Sequence, residues 1–77
     1  MLENLLEFLV KALVDEPDQV NITEVQQDQA TTYEVRVAPN DLGKVIGKQG
    51  RIANALRTVT KAAAMKHKRK VYVEIIA

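Results

Sequence analysis

A small α+β domain follows from three observations on the 77-residue chain. Leucines recur at helical spacing near the N-terminus. Two later runs alternate apolar and polar residues as strands do. Between those runs, around Pro39-Asn40-Asp41, the pattern switches from the strand period to the helical one. A chain of this length makes one domain, spanning 1–77, near the lower limit for a self-sufficient core. Hydrophobic residues are 47% of it, enough to fold, but two Tyr and one Phe are its only aromatics, so the core is thin.

Leu2, Leu5, Leu6, Leu9 and Leu13, with Phe8 and Ala12 beside them, predict an amphipathic helix over 2–14. Glu3 and Glu7 lie in its first turns, where the helix dipole favours acid. Asp15-Glu16-Pro17 ends it, because the residue before a proline is pushed out of the α region. Residues 19–26 are rich in β-branched types and read as a strand. Val20 and Ile22 would face the core, and Val25 breaks the alternation. Gln27-Asp28-Gln29 is the turn; lacking Gly, it predicts a hairpin loop longer than two residues. Tyr33, Val35 and Val37 alternate with Thr32, Glu34 and Arg36 in a second strand over 31–37.

Asn40 or Asp41 can then cap a short helix over Leu42, Lys44, Val45 and Ile46. Gly43 inside so short a helix predicts a close neighbour there. After Gly47-Lys48-Gln49-Gly50 a long helix runs over about 51–66, with Ile52, Ala55, Leu56, Val59, Ala62 and Ala63 as its buried face. Arg57 and Lys61 lie on another face. Lys66-His67-Lys68-Arg69-Lys70 closes that helix with bases that complement its negative end. Val71, Val73 and Ile75 alternate with Tyr72 and Glu74 in a last strand. The order is α-β-β-α-α-β, and the glycine turn sits exposed at a sheet end.

The net charge of +1 conceals an asymmetry: residues 1–41 carry −7 and residues 42–77 carry +8. Such a split fits either a surface with one basic side or internal pairing between the halves. The chain has no cysteine, so a disulfide framework and a thiolate metal site are excluded. The one histidine, His67, sits in a basic run and reads as a surface residue, and Asp15, Glu16 and Asp18 read as a solvated loop around Pro17. No nucleotide-triphosphate loop is present, and catalysis, a cofactor and a bound metal are not expected. No signal peptide or membrane span is expected, and the cytoplasm is the expected compartment.

The glycine turn carries the functional reading. Glycine lets another backbone approach closely and adopts positive φ. The first N–H groups of the helix that follows are unpaired, and its dipole attracts an anion. Lys48 and Arg51 add positive charge at the same point. Gly-x-x-Gly alone is also an ordinary helix–helix turn; its flanks favour a phosphate seat.

Those flanks, VIGKQGRIANAL over 45–56, resemble the signature of K-homology (KH) RNA-binding domains. In that family Ile-Gly-x-x-Gly precedes a helix with an apolar residue two positions on. Ile46, Gly47, Gly50 and Ile52 match it. The element order resembles the type II, bacterial form, a three-stranded sheet with helices packed on one face. The resemblance covers essentially the whole chain. With Val37-Ala38-Pro39, Asp41-Leu42-Gly43 and the Ala-rich helix, it is similar to the small stand-alone bacterial KH proteins of the KhpA type. It implies that the loop clamps about four nucleotides of single-stranded RNA by the backbone. Lys44, Lys48, Gln49 and Arg51 would meet phosphate at Gly47 and Gly50, over an apolar floor drawn from Ile46, Ile52, Val35 and Val37. With two Tyr, one Phe and no Trp, base stacking is scarce, so weak base specificity is expected. The resemblance also implies a role as an RNA chaperone or post-transcriptional regulator tied to cell-envelope growth and cell shape. Pairing as a homodimer, or with a second KH-containing (KhpB/Jag-like) protein, is implied as well. A KH-shaped protein-interaction module, with RNA contact secondary, is the alternative. The residues do not separate RNA from single-stranded DNA.

Overall fold

In the computed structural model, which describes residues 2–66 and 68–76, the leucine-rich segment forms α1 (Leu2–Leu13). A 3-10 turn at Pro17–Gln19 leads into β1 (Asn21–Gln27) and β2 (Ala30–Arg36). A second 3-10 turn at Pro39–Asp41 opens α2 (Leu42–Ile46), and the glycine turn joins it to α3 (Arg51–Met65), which returns the chain to β3 (Lys70–Ile76). His67 lies outside the described residues. Among those described, no helix is long and apolar enough to cross a membrane.

The sheet has the order β1-β2-β3. The first two strands pair antiparallel, with Ile22 opposite Val35 and Glu24 opposite Tyr33. The last pair is parallel, with Tyr33 opposite Val73, so the chain must cross over between them. α2, the glycine turn and α3 are that crossover. The hairpin is tighter than the sequence predicts. Gln27 pairs with Ala30, leaving a two-residue loop. Asp28 takes the positive φ of 47° that a glycine was expected to supply, a conformation its short polar side chain tolerates.

Tyr33 and Val35 of β2 and Val71 and Val73 of β3 point to one face, where α1 and α3 cover them. The outer face carries Thr32, Glu34, Arg36, Tyr72 and Glu74. Leu6 and Val10 anchor α1 in the core, with Leu2 and Leu9 partly buried beside them. Val10 lies outside the leucine stripe yet is fully buried, whereas Phe8 is 72% exposed. The Tyr33 hydroxyl donates to Glu24 Oε1 at 2.9 Å. Burial, and then this bond, push the phenol up to about 12. Hydrogen bonds from Gln26 and Tyr33 hold the Glu24 carboxyl below its usual range.

α3 is rotated relative to the expected buried face. Ala53, Leu56, Thr60 and Ala64 face the sheet, Ala55 and Ala62 face solvent, and Val59 is 46% exposed. Thr60 can occupy the core because its Oγ1 donates to the Leu56 carbonyl at 2.8 Å, so its hydroxyl is satisfied within the helix. The expected neighbour of Gly43 is also absent. A Cβ at that position meets nothing within 4 Å.

Candidate nucleic-acid interface

Asp41 positions the short helix that carries the glycine turn. Its carboxylate was expected to cap α2 but makes no cap bond. It is 1% exposed and accepts instead from the backbone N–H groups of Asp15 (3.2 Å) and Glu16 (3.0 Å). A buried carboxylate is stable only with such donors. The end of α1 is therefore tied to the start of α2, and the turn is held at the sheet end. Lys44, one turn further on, pairs with Asp15 and lies 3.9 Å from Asp41. The hydrogen bond to Asp15 raises the Lys44 pKa. Lys44 thus reaches a phosphate only by leaving that carboxylate.

The turn itself has the shape its glycines allow. The Gly47 N–H donates to the Gly43 carbonyl at 2.8 Å, and the Gly50 N–H to the Gly47 carbonyl at 3.2 Å. Gly47 has φ +76°, Gln49 φ +57° and Gly50 φ +74°. At Gly47 an added Cβ would stand 2.6 Å from Ile52 Cγ1. Ile52, half-buried against the core, therefore packs directly under the Gly47 backbone. At Gly50 nothing lies within 4 Å, so that side of the turn is open. Gly50 stands as the N-cap of α3 with no side-chain capping bond, the Arg51 N–H donates back to the Lys48 carbonyl, and no side chain caps the N–H groups that follow in the first turn of this 15-residue helix. Lys48 and Arg51 are exposed beside them and join no ion pair among the described residues.

Of the candidate residues, Lys48, Gln49, Gly50 and Arg51 gather around one exposed point, with Gly47, Ile46 and Ile52 half-buried behind it. Val35 and Val37 are 0% and 6% exposed: Val35 lies on the apolar face of the central strand β2, under the helices, and Val37 is buried just past the end of that strand. The sheet's two edges are β1 and, beside α3, β3. Arg57 Nε donates to the Val73 carbonyl on it at 3.2 Å, and Arg57 Nη1 to Asn54 Oδ1 at 3.1 Å. The β1 and β3 edges are indistinguishable in the sequence, so nothing there points to Arg57. Among the described residues no group of three or more His, Cys, Asp or Glu side chains could hold a metal ion.

Comparison with known proteins agrees with this geometry. The family model described as KhpA/KhpB, KH domain, matches residues 3–75. A Clostridium acetobutylicum protein named RNA-binding protein KhpA is 57% identical over 75 residues, 97% of this chain and 100% of its own length. A protein of the same name from Caldanaerobacter subterraneus is 57% identical over 72 residues, 94% of this chain and 96% of its own. In solved structures the same fold occurs in Era, crystallised with MgGDPNP and nucleotides 1506–1542 of 16S ribosomal RNA, at a TM-score of 0.68 and 17% identity. That match covers 96% of this chain and spans 28% of the Era chain.

Proposed function

The chain belongs to the KhpA/KhpB KH-domain family, and from that premise we propose that it binds single-stranded RNA by its backbone at the Gly47–Gly50 turn. One observation carries the reading: Lys48 and Arg51, with no intramolecular ion partner among the described residues, flank the uncapped N-terminus of α3 beside a glycine open to close approach. A phosphate there meets two cations at the positive end of the α3 dipole. Gly50 admits the strand, Gln49 supplies a neutral hydrogen-bonding tip, and Ile46 and Ile52 offer apolar surface to a base. Lys44 joins by exchanging Asp15 for phosphate. Affinity resides in charge, and base discrimination is weak. Action as an RNA chaperone or post-transcriptional regulator in the cytoplasm, linked to cell-envelope growth, follows from the family resemblance.

The test is a titration of a fluorescent single-stranded RNA at two salt concentrations, with DNA of matching sequence alongside. For two to three phosphate contacts, log affinity falls with log salt at a slope of about −1.5 to −2. Binding that ignores salt would sink the reading. A preference for RNA over DNA would report 2′-hydroxyl contacts.

Self-association, or pairing with a second KH-containing protein, is the second part of the proposal. It rests on the solvent side of α3, where Ala55, Val59 and Ala62 make an exposed apolar stripe with Val59 46% exposed. Small residues there let a second backbone approach. Sedimentation of the free protein should show concentration-dependent dimers that Val59→Glu disperses. A monomer at every concentration would overturn the homodimer.

A further inference from the structure

The five bases that follow α3's midpoint are not absorbed by the turn. They lie at the opposite end of a helix about 22 Å long. Lys61, Met65, Arg69, Lys70, Val71 and Tyr72 line a cleft of about 310 Å³ between the last turns of α3 and the start of β3. Tyr72 alternates with the buried Val71 and Val73 and so projects from the outer face, 49% exposed. Lys61 Nζ lies 6.0 Å from its ring centroid, and Met65 is 75% exposed beside it. No acid lines the cleft, and Glu74 follows two residues beyond Tyr72 on the same face of β3. Lys66 and Lys68, in the connection from α3 to β3, are exposed. Arg69 borders the cleft, but its Nη2 donates to Thr31 Oγ1 at 2.6 Å, which turns the guanidinium toward the inner-face cavity it shares with Glu24 and Tyr33.

We propose that this cleft is a second contact for a single-stranded nucleic acid, in which a base stacks on Tyr72 while Lys61 and Lys70 hold the adjoining phosphates. Bases around a half-exposed aromatic ring are the combination that binds single strands without reading sequence. Tyr72 is suited to this where Tyr33 is not, because Tyr33 is 4% exposed with its hydroxyl committed to Glu24. Phe8, 72% exposed, lies on α1 among acids and near one base. The path from the turn is continuous. Arg51, Asn54, Thr58, Lys61 and Met65 recur every three or four residues and form one exposed line along α3. The inference rests on the turn as the strand's anchor. It extends the footprint from the roughly four nucleotides a KH loop holds to a strand reaching the far end of α3.

The chain has no Trp, so in a Tyr33→Phe variant Tyr72 is the sole emitter and reports its own contacts. Oligonucleotides of about four and about twelve nucleotides are titrated, with binding followed by anisotropy and Tyr72 by its emission. The longer strand should quench Tyr72 and bind about tenfold tighter than the shorter, and Tyr72→Ala should erase that gain while leaving the short strand's affinity unchanged. If both strands bind alike and Tyr72 emission does not change, this inference fails while the turn stands. If Lys48→Asp with Gln49→Asp leaves binding of the short strand intact, the turn reading has failed instead. Quenching by polyglutamate as strong as by RNA would make the cleft a surface for acidic protein and overturn the stacking. Should Tyr33→Phe fold poorly, the ring-proton shifts of Tyr72 in the unsubstituted chain give the same readout.

Discussion

Replacing Lys48 and Gln49 by aspartate is expected to lower RNA affinity by about a hundredfold or more while leaving the fold unchanged. Charge-assisted hydrogen bonds contribute roughly 1.5–3 kcal/mol each, so losing two already exceeds the roughly 2.7 kcal/mol of a hundredfold change. The introduced carboxylates then repel the phosphates that remain. The fold should not respond, because both side chains are exposed and in no ion pair among the described residues. Gln49 has φ +57°, and Asp tolerates that left-handed conformation better than Gln does. Far-UV dichroism and the melting temperature should therefore match the parent while anisotropy shows no binding. Retained affinity would falsify phosphate capture at this turn.

A glycine series is expected to separate three positions that look alike in sequence. Gly47→Ala should destabilise the domain by about 2–4 kcal/mol, since φ +76° with ψ 176° is a region essentially reserved for glycine. The new Cβ would also stand 2.6 Å from Ile52 Cγ1, forcing the side chain that supports the turn to move. In a domain this small, the melting temperature should fall by more than about 10 °C. Gly50→Ala should cost only about 1 kcal/mol, because its conformation is left-handed but its Cβ would meet open space. Gly43→Ala should stabilise by up to about 1 kcal/mol, since the site is helical and empty. Thermal melts of the three variants check the order. Equal losses at 43 and 47 would contradict the packing described for Ile52.

The element order and the exposed glycine turn were legible in the chain because they depend on local properties. Helical leucine spacing, strand alternation over Tyr33, Val35 and Val37, and the period switch at Pro39 need no knowledge of distant neighbours. Lys48 and Arg51 could be placed at the turn for the same reason, since their position follows from adjacency. Tertiary structure alone decided which residues the elements bury and which charges are free. Val35 and Val37 alternate as any half-buried strand does, and only the order β1-β2-β3 makes the strand of Val35 the central one and buries it under the helices. On α3, Val59 is apolar and Thr60 polar, yet Thr60 is buried because its hydroxyl bonds within the helix and Val59 faces solvent. Asn40 or Asp41 read as a cap and Lys44 as a phosphate ligand. In the fold Asp41 accepts from the Asp15 and Glu16 N–H groups and Lys44 pairs with Asp15, 25 to 29 residues away along the chain. Sequence period reports which side chains share a face, whereas the packing of distant segments determines what that face meets.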